Sequence, residues 1–411
     1  MKQLIIGGYW ASLSDTTTAY NTVSGGYTWS NVANTRIQIV STPGILSNFA
    51  IELSEAPGGG GSYTLTILNV TQGTSLGVTI IDPDLTGINT GTLVVAAGDK
   101  IEIQSTYDAP TNTPKAWWSV LFEGDNAKES LILGVGLCAS AATRYEPIAH
   151  SHDGNAALES FTYQIIPTSG TIKNLYVDLS ASPGTAPDAY RFTLRVNGAN
   201  SDDGVGNPLQ VTIVANDTAG NDAIHLIPVS AGDYVDLMIE PLETPSSSPI
   251  VRWGMTFLAD TDGESIILGQ SGDKPTLAQT EYNHIITTDY FRAWTTTEGQ
   301  RYTGGQSGIT LKKFYVMLSE LSTDSYVLNV RATSAGGNTG ITITITAGNT
   351  TGNDTINTYS IGNYDDLDIS CLAAGTAVMV YWGLVCYIAA EAPLGNKSAN
   401  MGSKMVAAGL I

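Results

Sequence analysis

The sequence predicts an all-β protein made of three tandem antiparallel β-sandwich domains of jelly-roll type. Three observations lead to this prediction. Four landmarks recur three times in the same order, and apolar residues alternate with polar ones at a period of two. The composition is low in charged residues and rich in residues typical of strands and turns.

The repeat is defined by two landmark strands, one turn and one tryptophan. The first strand is apolar and ends in glycine, at Gly7, Gly134 and Gly269. The second landmark strand occupies 44–54, 170–180 and 311–319. The turn is Ala97-Gly98-Asp99, Ala231-Gly232-Asp233 and Ala374-Gly375-Thr376. The closing strand carries Trp118, Trp253 and Trp382, spaced by 135 and 129 residues, which we expect to be landmarks of three hydrophobic cores.

The repeat divides the chain into domains with short joints. We expect β-sandwich repeats at 1–125, 126–262 and 263–391, followed by a C-terminal tail at 392–411. The connections at 123–130 and 259–265 reach at most about 25 Å, so neighbouring domains should touch.

Within each copy the side chains alternate as they do in strands that have one buried and one solvated face. Leu175, Val177 and Leu179 alternate with polar or amphipathic residues, and 341–346 alternates strictly between Ile and Thr. No segment of useful length has a helical period. About eight such runs per copy are typical of a two-sheet sandwich or a jelly roll, and the strand order is left open.

Composition and charge exclude several classes of partner. Charged residues make up 14% of the chain and the formal net charge is −20, which disfavours nucleic acid and anionic membranes. We expect no signal peptide and no membrane-spanning segment, because no apolar run has the required length. Three cysteines without CxxC spacing indicate a reducing compartment: Cys138, Cys371 and Cys386.

Motifs of catalysis are missing from the sequence, so the chain is not expected to be an enzyme. The weak candidates for a metal site are His150, His152 and Asp153, because histidines two apart on a strand point to one side. Calcium is the other candidate, since oxygen ligands recur in Asp-rich turns at 82–84, 202–203, 216–217, 221–222 and 353–354. Asp and Asn are also ordinary turn residues, so no cofactor is the main expectation.

Three sequence patterns follow one another in the second copy. They are Gly-x-Ile-x-Asn-Leu-x-Val-x-Leu-Ser in the second landmark strand, Tyr-x-x-Thr-Leu-x-Val-Asn-Gly at 190–198 and Ala-Gly-Asp-x-Val at 231–235. In this succession of patterns the chain resembles jelly-roll virion structural proteins of prokaryotic viruses, namely capsid decoration, head-fibre and tail proteins. Those modules are similar to tumour-necrosis-factor-like trimeric modules. The third copy departs from these patterns at Thr376, which stands where Asp is expected.

The resemblance implies a non-catalytic structural protein of a virus (bacteriophage) particle, assembled in the host cytoplasm. Its partners would be other virion proteins and, in a homo-oligomer such as a trimer, its own copies. Three fused repeats allow two geometries, because one chain can mimic a trimer or three chains can align as a fibre.

Two alternatives remain open at this stage. A host-receptor or glycan-binding fibre protein needs exposed aromatic side chains, for which the candidates are Tyr9, Trp10, Tyr290 and Trp294. A prokaryotic cell-surface adhesin or filament subunit would instead require export.

Overall fold

The computed structural model describes residues 2–9, 11–126, 128–150, 155–286 and 293–389. These residues form six antiparallel sheets, two for each of three sandwiches, so the expected fold class of three tandem antiparallel β-sandwiches is confirmed. The only helices among them are three single turns of 3-10 helix, η1 (Glu159–Phe161), η2 (Glu298–Gln300) and η3 (Thr333–Ala335). None of the described helices is long and apolar enough to cross a membrane.

The strands of each sandwich follow one another along the chain. Sandwich 1 contains β1 (Lys2–Tyr9), β2 (Ala19–Asn21), β3 (Gln38–Ile39), β4 (Gly44–Leu53), β5 (Ser62–Asn69), β6 (Thr74–Ile81), β7 (Thr86–Val95), β8 (Lys100–Asp108) and β9 (Ala116–Gly124). Sandwich 2 contains β10 (Glu129–Leu137), β11 (Arg144–Glu146), β12 (Gln164–Ile165), β13 (Gly170–Leu179), β14 (Ala189–Val196), β15 (Ala199–Asn200), β16 (Gln210–Val214), β17 (Ala219–Asp222), β18 (Ile227–Val229), β19 (Tyr234–Leu242) and β20 (Ile250–Ala259). Sandwich 3 contains β21 (Glu264–Gln270), β22 (Thr280–His284), β23 (Thr303–Gly304), β24 (Thr310–Leu318), β25 (Tyr326–Ala332), β26 (Gly337–Ile345), β27 (Thr351–Ser360), β28 (Asp366–Ala373) and β29 (Val380–Tyr387).

The strand order is that of a jelly roll. In sandwich 1 one sheet has the order β1-β9-β4-β7 and the other β2-β8-β5-β6, with the short β3 beside β8. The first and last strands are therefore neighbours, and each sheet takes strands alternately from both halves of the chain segment. Sandwiches 2 and 3 repeat this order as β10-β20-β13-β17 with β11-β19-β14-β16, and β21-β29-β24-β27 with β22-β28-β25-β26.

A tryptophan and a glycine explain two of the sequence landmarks together. Gly7, Gly134 and Gly269 pair in register with Trp118, Trp253 and Trp382. A Cβ atom on these glycines would lie 2.4, 2.0 and 2.0 Å from the indole, so only glycine leaves room for the ring. Each indole N–H donates a 2.8 Å hydrogen bond to a buried backbone carbonyl, of Val23, Ile148 or Ile285.

The second landmark strand contains a β-bulge in every copy. The register of β4, β13 and β24 shifts at a residue with positive φ, which is Asn48 (52°), Asn174 (56°) or Lys313 (50°). Asn tolerates the left-handed conformation better than most residues, which accounts for the Asn in two of the three copies.

The third landmark of sandwich 3 lies at other residues than the sequence predicts. Residues 374–376 follow β28, whereas the equivalent turns precede β8 and β19, so the true counterpart ends at Asp365. The aspartates Asp99, Asp233 and Asp365 each accept the backbone N–H three residues earlier, at 2.8, 2.7 and 2.7 Å. Tyr364 (φ 56°) takes the left-handed position that Gly98 and Gly232 hold elsewhere, and this hides the turn from a search for Ala-Gly-Asp.

Candidate functional site

The three sandwiches pack head to tail into a closed ring. The short strand β3 of sandwich 1 lies against β10, β13 and β20 of sandwich 2, and β12 of sandwich 2 lies against β21, β24 and β29 of sandwich 3. In the same way β23 of sandwich 3 lies against β1, β4 and β9 of sandwich 1. We call these contacts the first joint, the second joint and the closing joint. The same two surfaces are used three times, so the chain has a pseudo-threefold axis.

The first strands of the sandwiches meet at this axis. β1, β10 and β21 contact one another in pairs and enclose a narrow void of about 20 Å³. Their side chains enter the core of the neighbour: Leu131 and Leu133 belong to the core of sandwich 1, Ile266 and Leu268 to that of sandwich 2, and Leu4 and Ile6 to that of sandwich 3. Each core is therefore completed by the next sandwich.

Glycine allows the short strands to approach closely. A Cβ on Gly254 would lie 2.0 Å from the carbonyl oxygen of Ile39 across the first joint, and one on Gly383 would lie 2.0 Å from that of Ile165 across the second. The closing joint places its glycine on the opposite side, since a Cβ on Gly304 would lie 3.0 Å from the backbone of Trp118.

The first joint is held by ion pairs. The Asp178 carboxylate of sandwich 2 accepts from Lys100 Nζ of sandwich 1 at 2.8 Å and from Arg252 Nη1 at 3.0 Å, and Arg252 also donates to the Asn34 carbonyl. Nearby, Glu129 accepts from Thr42 across the joint and from Lys173, both at 2.6 Å. Burial alone would raise the pKa of Glu129, but these hydrogen bonds outweigh it and hold the pKa below its ordinary value.

The second joint keeps the carboxylate but replaces the Lys–Asp pair with aromatic rings. Glu264 accepts from Lys313 at 2.9 Å and from Thr168 across the joint at 2.6 Å, and these bonds again outweigh burial and lower its pKa. Tyr234 stands where Lys100 stands in the first joint. The Tyr163 ring lies 4.4 Å from that of Tyr234 and 5.8 Å from that of Tyr381 in sandwich 3, whose hydroxyl donates to the Ser160 carbonyl.

The closing joint brings carboxyl groups together. Asp366 of sandwich 3 occupies the Lys100 position and Glu52 of sandwich 1 the Asp178 position. Burial and the neighbouring Asp365 raise the pKa of Glu52 to about 7, and burial, Glu52 and Asp365 raise that of Asp366 to about 8. Glu52 Oε2 and Asp366 Oδ1 have no hydrogen-bond partner. Lys2 replaces the carboxylate of Glu129 and Glu264, five residues before the first-strand glycine.

Of the three residues predicted to bind a metal, the structure describes His150. His150 is buried, and its Nδ1 lies 2.9 Å from the Val135 carbonyl and 3.6 Å from Glu146. His152 and Asp153 lie outside the described residues. Among the described residues, no three His, Cys, Asp or Glu side chains are placed to hold a metal ion.

In the Asp-rich turns, carboxylates accept hydrogen bonds from backbone N–H groups of the same domain. Asp82 accepts the N–H groups of Gly58 and Gly60, and Asp203 accepts those of Val205 and Asn207. Asp222 and Asp354 each accept two backbone N–H groups, from residues 224–225 and 356–357. Calcium at these turns remains an untested expectation.

Of the four aromatic residues proposed for receptor binding, the structure describes the side chain of Trp294. Trp294 is 7% exposed and packs against Trp382 in the core of sandwich 3. Trp10, Tyr290 and the side chain of Tyr9 lie outside the described residues, as does the tail at 392–411. The three cysteines are buried and unpaired.

Comparison with known proteins gives a likeness among solved structures. No protein-family model and no curated protein matches the chain. A chain in the atomic structure of Sulfolobus Turreted Icosahedral Virus is similar over 94% of this chain and 90% of that chain, with 12% identity and a TM-score of 0.17. A TM-score of this size does not indicate a shared fold, so the jelly-roll assignment rests on the strand order.

Proposed function

We propose that this protein is a non-catalytic structural component of a virus particle, as a capsid decoration, head-fibre or tail-associated protein. The observation that carries the proposal is the closed ring, in which three jelly rolls form a pseudo-trimer within one chain. Such a ring presents three similar outer surfaces and has its joint surfaces already occupied. It is suited to sit on a threefold position of a larger assembly.

Of the two geometries open from the sequence, the ring favours the one in which a single chain mimics a trimer. A homotrimer of this chain would have to use other surfaces, because each short strand is already seated on a neighbouring sandwich. Partners are then other virion proteins, and assembly takes place in the host cytoplasm, consistent with three buried thiols.

Light scattering coupled to negative-stain imaging tests this proposal. We expect one chain mass and a three-lobed particle, and we expect antibodies to this chain to label particles of the virus that encodes it. An elongated rod of three chain masses would contradict the single-chain ring. Labelling of uninfected cell surfaces without labelling of particles would overturn the virion role in favour of an adhesin.

A further inference from the structure

A buried carboxyl group recurs on the same strand of every sandwich. Glu102 on β8, Asp236 on β19 and Asp368 on β28 each lie three residues after the turn aspartate, on the face directed away from the core. Their exposures are 1%, 0% and 0%. Burying a charged carboxylate without a counter-ion costs free energy, and the same cost arises in all three sandwiches.

In sandwiches 2 and 3 an arginine from the adjacent strand lies beside this acid, and its charge offsets part of the rise in pKa that burial causes. Arg195 stands opposite Asp236 in the register of β14 and β19, and Arg331 stands opposite Asp368 in that of β25 and β28. Each guanidinium is also fixed by the glutamate five residues before the short strand. Arg195 Nε lies 2.9 Å from Glu159, and Arg331 Nε lies 2.6 Å from Glu298.

The arginine in sandwich 3 is supported by an aromatic ring as well. Arg331 Cζ lies 5.2 Å from the centre of the Tyr282 ring, at a distance typical of a cation–π contact. Tyr282 pairs with Ser370 on β28, two residues beyond Asp368. Acid, arginine and tyrosine therefore form one stack on the outer face of the sheet.

Sandwich 1 keeps the acid and the tyrosine but lacks the arginine and its glutamate. Leu68 stands opposite Glu102 in the register of β5 and β8, and Ala33 occupies the place five residues before β3. A cavity of about 270 Å³ opens here, lined by Tyr20, Ala33, Leu68, Gly73 and Glu102 among others. Tyr20 pairs with Gln104, two residues beyond Glu102, as Tyr282 does with Ser370.

Glu102 is left incompletely paired in this cavity. Its Oε1 accepts the Asn34 N–H at 3.2 Å, while Oε2 has no hydrogen-bond partner. Burial raises the pKa of Glu102, and the backbone N–H groups of Asn34 and Arg36 with the charge of Arg252 offset only part of that rise. Arg252 already pairs with Asp178, so the site still favours an added cation.

We propose that this cavity is a receptor for the guanidinium group of an arginine side chain presented by another protein, with Glu102 as the counter-ion and Tyr20 as the aromatic surface. The chain itself indicates the ligand, because the two equivalent positions are filled by its own arginines. Arginine is suited to such a place, since its planar, weakly hydrated cation pairs with carboxylates and stacks on rings. The inference does not depend on the virion role.

Calorimetric titration of the intact protein with N-acetyl-L-arginine amide tests the proposal. We expect saturable binding to one site and at least tenfold weaker binding to Glu102→Gln. N-acetyl-L-lysine amide should bind several-fold more weakly than the arginine probe. Free L-arginine should bind no more tightly than the blocked residue, because a receptor for a protein side chain has no use for its charged termini.

A second variant keeps the test valid if Glu102→Gln does not fold. This self-filled variant, Leu68→Arg combined with Ala33→Glu, rebuilds the arrangement of the other sandwiches. It should abolish binding of the arginine probe and raise the melting temperature. Thr64→Arg places an arginine on the same face of β5 as Leu68→Arg but outside the cavity, and this control should bind as the wild type does.

Three results would overturn the proposal. They are no binding of the arginine probe to the wild type, unchanged binding by the self-filled variant, and either equal or tighter binding of the lysine probe or tighter binding of free arginine. The first result would mean that the cavity has no arginine ligand and exists only because Leu68 and Ala33 stand where the other sandwiches have Arg and Glu. None of these results bears on the mass or the location that tests the virion role.

Discussion

At the scale of single residues, tryptophan and glycine recur in all three sandwiches because each pair packs together. The indole of Trp253 occupies the volume in which a side chain at position 134 would lie, and its N–H satisfies a buried carbonyl. Because both the space and the hydrogen bond are used, neither residue can change alone at low cost.

Gly134→Ala should therefore destabilise sandwich 2. The new Cβ would lie 2.0 Å from the ring of Trp253, and overpacking of this kind costs about 2 kcal/mol or more in the free energy of unfolding. Urea denaturation measures the loss. Gly299→Ala is the matched control, since its Cβ would meet its nearest atom at 3.8 Å, and a similar loss there would contradict the explanation.

Single residues also mark the limit of sequence reasoning. The tryptophan and glycine landmarks are visible because one residue type serves the same purpose in each copy. Tyr364 performs the task of Gly98 with a different side chain, so the turn in sandwich 3 was assigned to the wrong residues. The cavity in sandwich 1 was missed because its signal, Leu68 in place of an arginine, appears only once the strand register is known.

At the scale of elements, the short strands form the ring without long side chains. Their backbone lies directly on a neighbouring sheet, so contact depends on a glycine at each joint. The length of the linkers predicted that neighbours would touch. It did not predict which strand would make the contact, because strands of two residues have no periodic pattern to recognise.

Gly254→Ala should loosen the first joint and leave sandwich 2 folded. The added methyl group would lie 2.0 Å from the Ile39 carbonyl oxygen, so the two sandwiches must separate to admit it. Hydrogen exchange should become faster at β3, with the amides of β14 unchanged. Equal acceleration in both strands would show instead that the variant unfolds sandwich 2.

The closing joint should weaken as the pH rises. Folding raises the pKa of Glu52 from 4.5 to about 7 and that of Asp366 from 3.8 to about 8, so the folded ring binds more protons than the open one. The contribution to stability is complete below about pH 4 and is lost as the pH passes through 7 to 8. Protection of the β23 amides, measured against the intrinsic exchange rate at each pH, should therefore be lower at pH 9 than at pH 6.

Asp366→Lys should reverse this dependence by reproducing the Lys100–Asp178 pair of the first joint. A lysine facing the charged Glu52 removes the repulsion between two carboxylates, so β23 should be better protected at pH 9 than in the wild type. Asp273→Lys makes the same change of charge at an exposed residue and should have no such effect. Protection that falls in the lysine variant would show that the acidic pair does not govern this joint.

At the scale of the whole molecule, the sandwiches share their cores. Leu133 belongs to sandwich 2 by sequence, but it packs in the core of sandwich 1 and is 2% exposed. The repeat could be read from the sequence, whereas this sharing could not, because an apolar first strand looks the same whether it faces its own core or a neighbour's.

Leu133→Ala should destabilise both sandwiches together. Loss of a buried leucine side chain costs about 2–5 kcal/mol, and the cavity would lie between the two domains. Calorimetry should show one transition that moves to lower temperature as a whole. Ile224→Ala, at a residue 82% exposed, should leave the transition in place. Separate transitions for the sandwiches would contradict a shared core.

The closing joint differs from the other two in having no linker across it. Its partners are nevertheless held near each other by sandwich 2, so they meet at an effective concentration on the order of millimolar or higher. A contact that is weak between separate molecules can remain closed under those conditions. The linkers at the other two joints therefore allow this one interface to keep two facing carboxyl groups. In a trimer of separate chains the three interfaces are identical, so the same pair of carboxyl groups would occur three times.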